Sequence, residues 1–136
     1  MKPGLSLIVM MFLLAGVMPV PARAQSDADF KEWMKQVNGT NGKLKKELKG
    51  KSSDAADDAT KIVGLFAQIG DYWQTRKADD AVKFSSDSAS SYKQIAILAS
   101  AGKFEEASTG LKSGEVNCSG CHKAHRSITF HGEEIK

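Results

Sequence analysis

The sequence predicts an all-α protein folded as an antiparallel up-down-up-down four-helix bundle. All three prolines lie within residues 1–24, so the rest of the chain can form uninterrupted helices. Over most of residues 25–136, apolar residues recur at alternating steps of three and four, which is the helical period. No strand-like alternation runs for long, and short polar links separate the periodic segments. Such links are typical of antiparallel neighbours in a bundle.

The first 24 residues predict a cleaved secretory signal peptide. A positive start precedes an apolar run over residues 5–17, and Ala22 and Ala24 give the small-residue pattern of a cleavage site. A membrane anchor is the alternative, but a spanning helix needs roughly 20 apolar residues, more than this run supplies. We therefore expect export to a bacterial periplasm, no membrane span after cleavage, and one mature domain over residues 25–136.

The charge of the mature chain is nearly balanced. Two of the 19 basic residues, Lys2 and Arg23, belong to the predicted signal peptide. The mature chain therefore has 17 basic and 16 acidic residues, a net charge of +1. Without a strongly basic composition, no nucleic-acid partner is expected. One basic cluster comprises Lys43, Lys45, Lys46, Lys49 and Lys51. A cluster of this kind is ordinarily a solvated helix face, and the alternative is a docking patch for an acidic redox partner.

Four helical segments follow from the apolar spacing. They cover residues 30–48, 59–73, 82–99 and 103–128. Ser53 or Asp54 is the expected cap of the second segment, and Gly102 is expected to end the third. The polar residues 129–136 are expected to form a loose tail. Several glycines lie inside the segments, where they either make the bundle marginally stable or let helix backbones approach a flat cofactor closely.

Both cysteines of the chain lie in one motif, Cys118-Ser119-Gly120-Cys121-His122. C-x-x-C-H is the attachment sequence of a c-type haem, in which each thiol forms a thioether with one vinyl group. Helical residues three apart have β-carbons about 5–6 Å apart on one face, which suits neighbouring vinyl groups. His122 faces the same side. We therefore expect one covalent haem c whose iron is bound on the proximal side by His122.

Other uses of the cysteines are weaker alternatives. A zinc-binding module would use Cys118, Cys121 and His125, with His131 as a further candidate, but structural zinc sites usually draw on two separated ligand pairs. A redox dithiol of the thioredoxin kind usually opens a helix after a strand, and no strand precedes this motif. A disulfide here would close a tiny loop and contribute little to stability. Haem attachment is therefore the preferred interpretation.

The motif lies near the carboxyl end of the last predicted helix and is followed by Lys123-Ala124-His125-Arg126. This arrangement resembles the class II c-type cytochromes, the cytochrome c-prime family and its low-spin relatives, whose bundles carry C-x-x-C-H on the fourth helix. Arg126 stands where that family has a basic residue, whereas His125 replaces a usual Phe or Tyr. The resemblance covers the mature chain as far as Arg126. The resemblance is specific at the motif, and elsewhere it rests only on helix order and spacing. The link between the second and third helices is shorter than in many members of the family.

Met34 is the expected distal iron ligand. In the predicted bundle the start of the first helix lies beside the end of the fourth, so Met34 and His122 belong at one level. The resemblance indicates the same residue, because the family's distal position is an apolar residue or a Met in this part of the first helix. The alternative is that Met34 only packs over the haem and leaves a five-coordinate iron. His131 is a rival ligand, whereas His125, on the same helix as His122, cannot readily reach the opposite haem face.

The ligation decides the expected function. A His/Met iron predicts an electron carrier with a raised potential that exchanges single electrons with redox partner proteins, and not an enzyme. A five-coordinate iron predicts a cytochrome c-prime-like protein that binds NO or CO. Arg126 is expected either to contact a haem propionate or the proximal side, or to cap the helix facing solvent. Trp33, Phe66 and Trp73 are expected to pack in the core or on the haem. The resemblance allows either a monomer or a homodimer.

Overall fold

The computed structural model describes residues 25–129 and 132–136, and the predicted signal peptide lies outside them. The described chain forms four helices followed by a two-stranded hairpin. The elements are α1 (Asp27–Gly50), α2 (Asp54–Thr75), α3 (Asp79–Ser100), α4 (Phe104–His125), β1 (Arg126–Thr129) and β2 (Gly132–Ile135). The predicted helical bundle is thereby confirmed. No helix in this described part of the chain is long and apolar enough to cross a membrane.

Contacts between helix ends show that sequential helices run antiparallel. Arg76, just after α2, donates to the Asp27 carboxylate at the start of α1 over 2.5 Å. His125, at the end of α4, lies 2.8 Å from the carboxylate of Asp80 at the start of α3. Of the four adjacent helix pairs, α1 and α4 pack most sparsely, and α2 lies diagonally opposite α4. The bundle is therefore most open between its first and last helices.

Local sequence sets the start of α1 and the end of α3. The hydroxyl of Ser26 accepts a hydrogen bond from the Asp29 N–H at 3.1 Å, and the Asp29 carboxylate accepts one from the Ser26 N–H at 3.0 Å, which is a capping box. Gly102 follows α3 with a φ of +73°, so the predicted glycine end is confirmed. Ser53 precedes α2 as expected, but its side chain makes no capping hydrogen bond within the described residues.

The core lies along the bundle axis and contains two buried tyrosines whose hydroxyls are satisfied. Tyr92 donates to the Asn41 side-chain oxygen at 2.9 Å, and the Asn41 amide donates to the Glu115 carboxylate at 3.3 Å. Tyr72 donates to the Asp27 carboxylate at 2.9 Å. These bonds join α1 to α2, α3 and α4. They fix the rotation of α1 in the bundle as well as its position.

The carboxyl-terminal segment differs from the expected loose tail. It forms an antiparallel hairpin in which Arg126 pairs with Ile135, so α4 ends at His125 and not at residue 128. The Lys136 N–H donates to the His125 carbonyl at 2.9 Å, which satisfies one backbone oxygen at the end of α4. Ile135 is half-buried and packs against the core. Apolar burial and this backbone bond hold a segment that is otherwise polar.

Ion pairs account for part of the basic cluster on α1. Lys43 lies 3.0 Å from the Glu47 carboxylate and 2.9 Å from that of Asp58, and Lys45 lies 2.5 Å from that of Glu115. These pairs are intramolecular and partly neutralise the cluster. They favour the interpretation of a solvated helix face over that of a docking patch.

Candidate functional site

A cleft at the end of the bundle where α1 begins and α4 ends gathers the residues that the sequence singles out. It holds about 540 Å³ of empty space, including the part that is open to solvent. All four helices and the hairpin contribute to its walls. Its apolar and aromatic lining comes from Phe30, Met34, Phe66, Ile69, Trp73, Phe84 and Ile135. Such a lining suits an apolar ligand.

The predicted site residues all line this one cleft. Met34 approaches from α1, and Cys118, Cys121 and His122 approach from α4. Arg126, the first residue after α4, completes the set. Two thiols, two imidazoles (those of His122 and His125) and one thioether thus line one apolar cleft, and they include the groups that a haem c with His/Met ligation would use. The residues present therefore fit that cofactor.

The two thiols are half-buried and are not joined in a disulfide. Burial, followed by the negative charge of Glu115, raises the pKa of Cys118 above its ordinary value. Burial, followed by the charges of Cys118 and Asp80, raises the pKa of Cys121 to about 11. Redox dithiols work through a thiol whose pKa is lowered, so these shifts oppose a thioredoxin-like use of the pair.

His125 also lines the cleft, and neighbours on two other helices hold its imidazole. One ring nitrogen lies 2.8 Å from the Asp80 carboxylate, and the imidazole ring lies 4.8 Å from the Trp73 ring, centroid to centroid. The hydrogen bond from His125 lowers the pKa of Asp80. His125 therefore joins the ends of α2, α3 and α4. The other candidate ligand, His131, lies outside the described residues.

Arg126 has both a backbone and a side-chain position at the site. Its N–H donates to the His122 carbonyl and ends α4, so it is the expected helix cap. Its side chain is half-buried and lines the cleft, so it does not simply face solvent. Arg126, one turn after His122, is thus in place to present a cation to the cleft.

Gly120, inside the C-x-x-C-H motif, sits directly against α3. A β-carbon at this position would lie 2.7 Å from Cε1 and 3.0 Å from Cζ of Phe84, closer than such contacts allow. The sequence predicted that helix glycines allow close approach to a flat cofactor, whereas the neighbour that the structure shows at Gly120 is the Phe84 ring. Phe84 was not identified from the sequence, because it falls outside the regular apolar stripe of α3.

Serines on α3 are the second group that sequence reasoning missed. Ser85 and Ser88 are buried and line the cleft. Ser88 forms a hydrogen bond with Cys118 that acts to lower the thiol pKa, against the larger effect of burial. Ser85 lies on the predicted apolar stripe of α3, but no motif in the sequence indicated that it would line a functional site. Small side chains at these positions leave room beside the motif.

The predicted aromatic residues separate into two groups. Phe66 and Trp73 are buried and line the cleft, whereas Trp33 packs against the core and is not among the cleft-lining side chains of the described chain. The indole Nε1 of Trp73 is buried and has no hydrogen-bond partner among the described residues. Buried polar groups are normally paired, so this N–H is a notable feature of the cleft.

The zinc interpretation receives no support from the described residues. Within residues 25–129 and 132–136, no group of three or more His, Cys, Asp or Glu side chains is arranged to hold a metal ion. Comparisons of the chain with protein-family models, with curated proteins and with solved structures gave no match. The site is therefore interpreted from its own residues and geometry.

Proposed function

We propose that this protein is an exported c-type cytochrome that carries single electrons on one covalently attached haem c. Cys118 and Cys121 would form the thioethers, His122 would bind the iron on the proximal side, and Met34 would bind it on the distal side. The observation that carries the proposal is that Met34, from α1, lines the same apolar cleft as the C-x-x-C-H motif of α4. The motif supplies the attachment chemistry and the cleft supplies the opposing thioether.

The protein's own residues would set the properties of such a centre. An Fe(III)/Fe(II) couple supplies one-electron chemistry, and His/Met ligation raises its potential. Phe30, Phe66 and Ile69 give the cleft an apolar wall that limits access of water. Met34 lies on α1, which packs on α2, and His122 lies on α4, which packs on α3. Ligands held in this way would keep their positions when the charge of the centre changes, so little reorganisation would accompany transfer. This behaviour suits an electron carrier for redox partner proteins and not an enzyme.

Optical spectra of the protein, produced together with a haem-maturation system, test the proposal. We expect a Soret band that persists after denaturation and extraction, since the cofactor is covalently held. We expect low-spin oxidised and reduced spectra that CO does not readily alter. Absence of any covalent chromophore would overturn the proposal, and zinc in the purified protein would then favour a zinc module on Cys118 and Cys121.

Met34→Ala isolates the distal ligand. We expect this variant to become high-spin and reactive with CO, because it loses the thioether from the cleft. Val37→Ala is the matched control, since Val37 is one turn further along α1 and is buried in the core without lining the cleft. It should lose stability but keep the low-spin spectrum. A wild-type protein that is already high-spin and binds CO would establish instead the cytochrome c-prime-like alternative, a five-coordinate protein that binds NO or CO.

Export and assembly form separate parts of the proposal. A mature protein recovered from the periplasm should begin at Gln25, which mass spectrometry of the intact chain measures. A mass that retains residues 1–24 would contradict export by signal cleavage. Sedimentation of the same sample distinguishes a monomer from a homodimer.

A further inference from the structure

Trp73 lies at the boundary between two clefts at the open end of the bundle. It lines the cleft that contains the C-x-x-C-H motif and also an adjoining cleft that contains Arg76 and Lys136. The residue is 3% exposed, and its Nε1 has no acceptor among the described residues. A buried indole N–H without a partner costs free energy, so such a group commonly donates to something that binds beside it.

The surroundings of Trp73 favour an anionic acceptor. Arg126 lines the first cleft, and Arg76 and Lys136 line the second. Two carboxylates lie nearby, those of Asp27 and Glu134, and Arg76 already binds the first at 2.5 Å. An indole donates but does not accept hydrogen bonds, so a carboxylate with access to the boundary between the clefts would satisfy it.

The positions of the helices indicate where such a carboxylate would come from. α2, which carries Trp73, lies diagonally opposite α4, which carries Cys118 and Cys121. In a haem the two propionate groups are at the edge of the macrocycle opposite the vinyl groups. If Cys118 and Cys121 hold the vinyl edge on α4, the propionates would extend away from these cysteines, toward the part of the cleft that Trp73 lines.

We propose that the indole N–H of Trp73 donates a hydrogen bond to a haem propionate and so positions the macrocycle and raises its reduction potential. This inference rests on the proposed function, since it requires the covalent haem. The bond would offset part of the negative charge of the propionate close to the iron. Because that charge favours the oxidised state, the donor favours the reduced state. Trp73 is therefore a positioning residue and not a ligand.

Trp73→Phe in the haem-loaded protein tests the assignment, because Phe keeps an aromatic ring in the cleft and removes the donor. We expect normal haem content with a several-fold decrease in the equilibrium constant for reduction, measured as a lower midpoint potential. Trp33→Phe is the matched control, since Trp33 packs against the core without lining the cleft. It should leave the potential unchanged. An unchanged potential in Trp73→Phe at normal haem content would overturn the inference.

A second measurement avoids dependence on the folding of Trp73→Phe. The chain has two tryptophans, so Trp33→Phe leaves Trp73 as the source of every indole signal. Ultraviolet resonance Raman spectra of this variant should show the band position of a strongly hydrogen-bonded indole N–H. A band typical of a non-bonded N–H would refute the proposal, and a bonded band with no potential change in Trp73→Phe would assign the bond to another acceptor. Failure to attach haem in the wild-type protein would instead count against the proposed function.

Discussion

Replacing Gly120 by Ala tests how closely α4 approaches α3 at the C-x-x-C-H motif. The substitution has two effects of opposite sign on the stability of the protein. Alanine is favoured over glycine in a helix interior by about 1 kcal/mol. The added β-carbon, however, would lie 2.7 Å from Cε1 of the Phe84 ring, so the ring or the helix must move. Overpacking in a tight core costs about 1–3 kcal/mol. The atoms met here are at the far end of a half-buried ring that lines the cleft, so the cost should lie toward the lower end of this range.

Gly39→Ala is the matched control for the propensity effect. Gly39 is an exposed interior residue of α1, and no neighbouring atom of the described chain lies within 4 Å of a β-carbon built there. We expect Gly39→Ala to be more stable than the wild type by up to about 1 kcal/mol. Both variants gain the same helix propensity. The difference between their free energies of unfolding therefore measures the contact with Phe84. Gly120→Ala should be the less stable of the two by about 1–3 kcal/mol.

Urea unfolding followed by far-ultraviolet circular dichroism measures both changes, provided that the slope of the free energy with denaturant stays constant. Haem content is measured in parallel, since Gly120 lies within the attachment motif. The double variant Gly120→Ala with Phe84→Leu should recover part of the loss, because the residues are coupled through one contact. Equal stability of Gly120→Ala and Gly39→Ala would refute the close packing of α4 on Phe84.

Two further predictions concern polar contacts that hold α1 in the bundle. Hydrogen bonds from Tyr72 and Arg76 lower the pKa of Asp27, so its contribution to stability is complete above the ordinary value of 3.8 and is lost as the pH falls through the lowered pKa. Because Asp27 is largely exposed, Asp27→Asn should cost at most about 1 kcal/mol at neutral pH and flatten the acid limb of the stability profile, measured by thermal unfolding between acid and neutral pH. A variant whose acid limb matched that of the wild type would contradict the role of this carboxylate. Tyr92→Phe removes a hydrogen bond to Asn41 and should cost about 0.5–1.5 kcal/mol in urea unfolding, whereas a neutral effect would show that the bond contributes nothing.

The helices could be predicted from the sequence because their signals are local. Apolar spacing within each segment follows the helical period, and Gly102 supplies the left-handed residue that ends α3. The hairpin could not be predicted in this way. Its β2 strand is stabilised by the bond from the Lys136 N–H to the His125 carbonyl and by the packing of Ile135 on the core. Both contacts depend on the position of the completed bundle.

The grouping of Met34 with the C-x-x-C-H motif in one cleft was also predictable, since helix order and direction place them at one level. The remaining side chains of the cleft depend on the rotation of each helix about its axis. Phe84 and Ser88 line the cleft from α3, although one lies outside the apolar stripe and the other is polar. Sequence periodicity identifies the residues on the core face of a helix. A cleft at the edge of that face is also lined by residues beside it, which the periodicity does not mark.

His125 shows how one side chain can combine aromatic packing with a polar contact. Its imidazole ring packs on Trp73, with the two ring centroids 4.8 Å apart. It also gains a polar contact, because a ring nitrogen lies 2.8 Å from the Asp80 carboxylate. His125 lines the same cleft as His122, so its bond to Asp80 and its packing on Trp73 hold a second imidazole at the cleft wall.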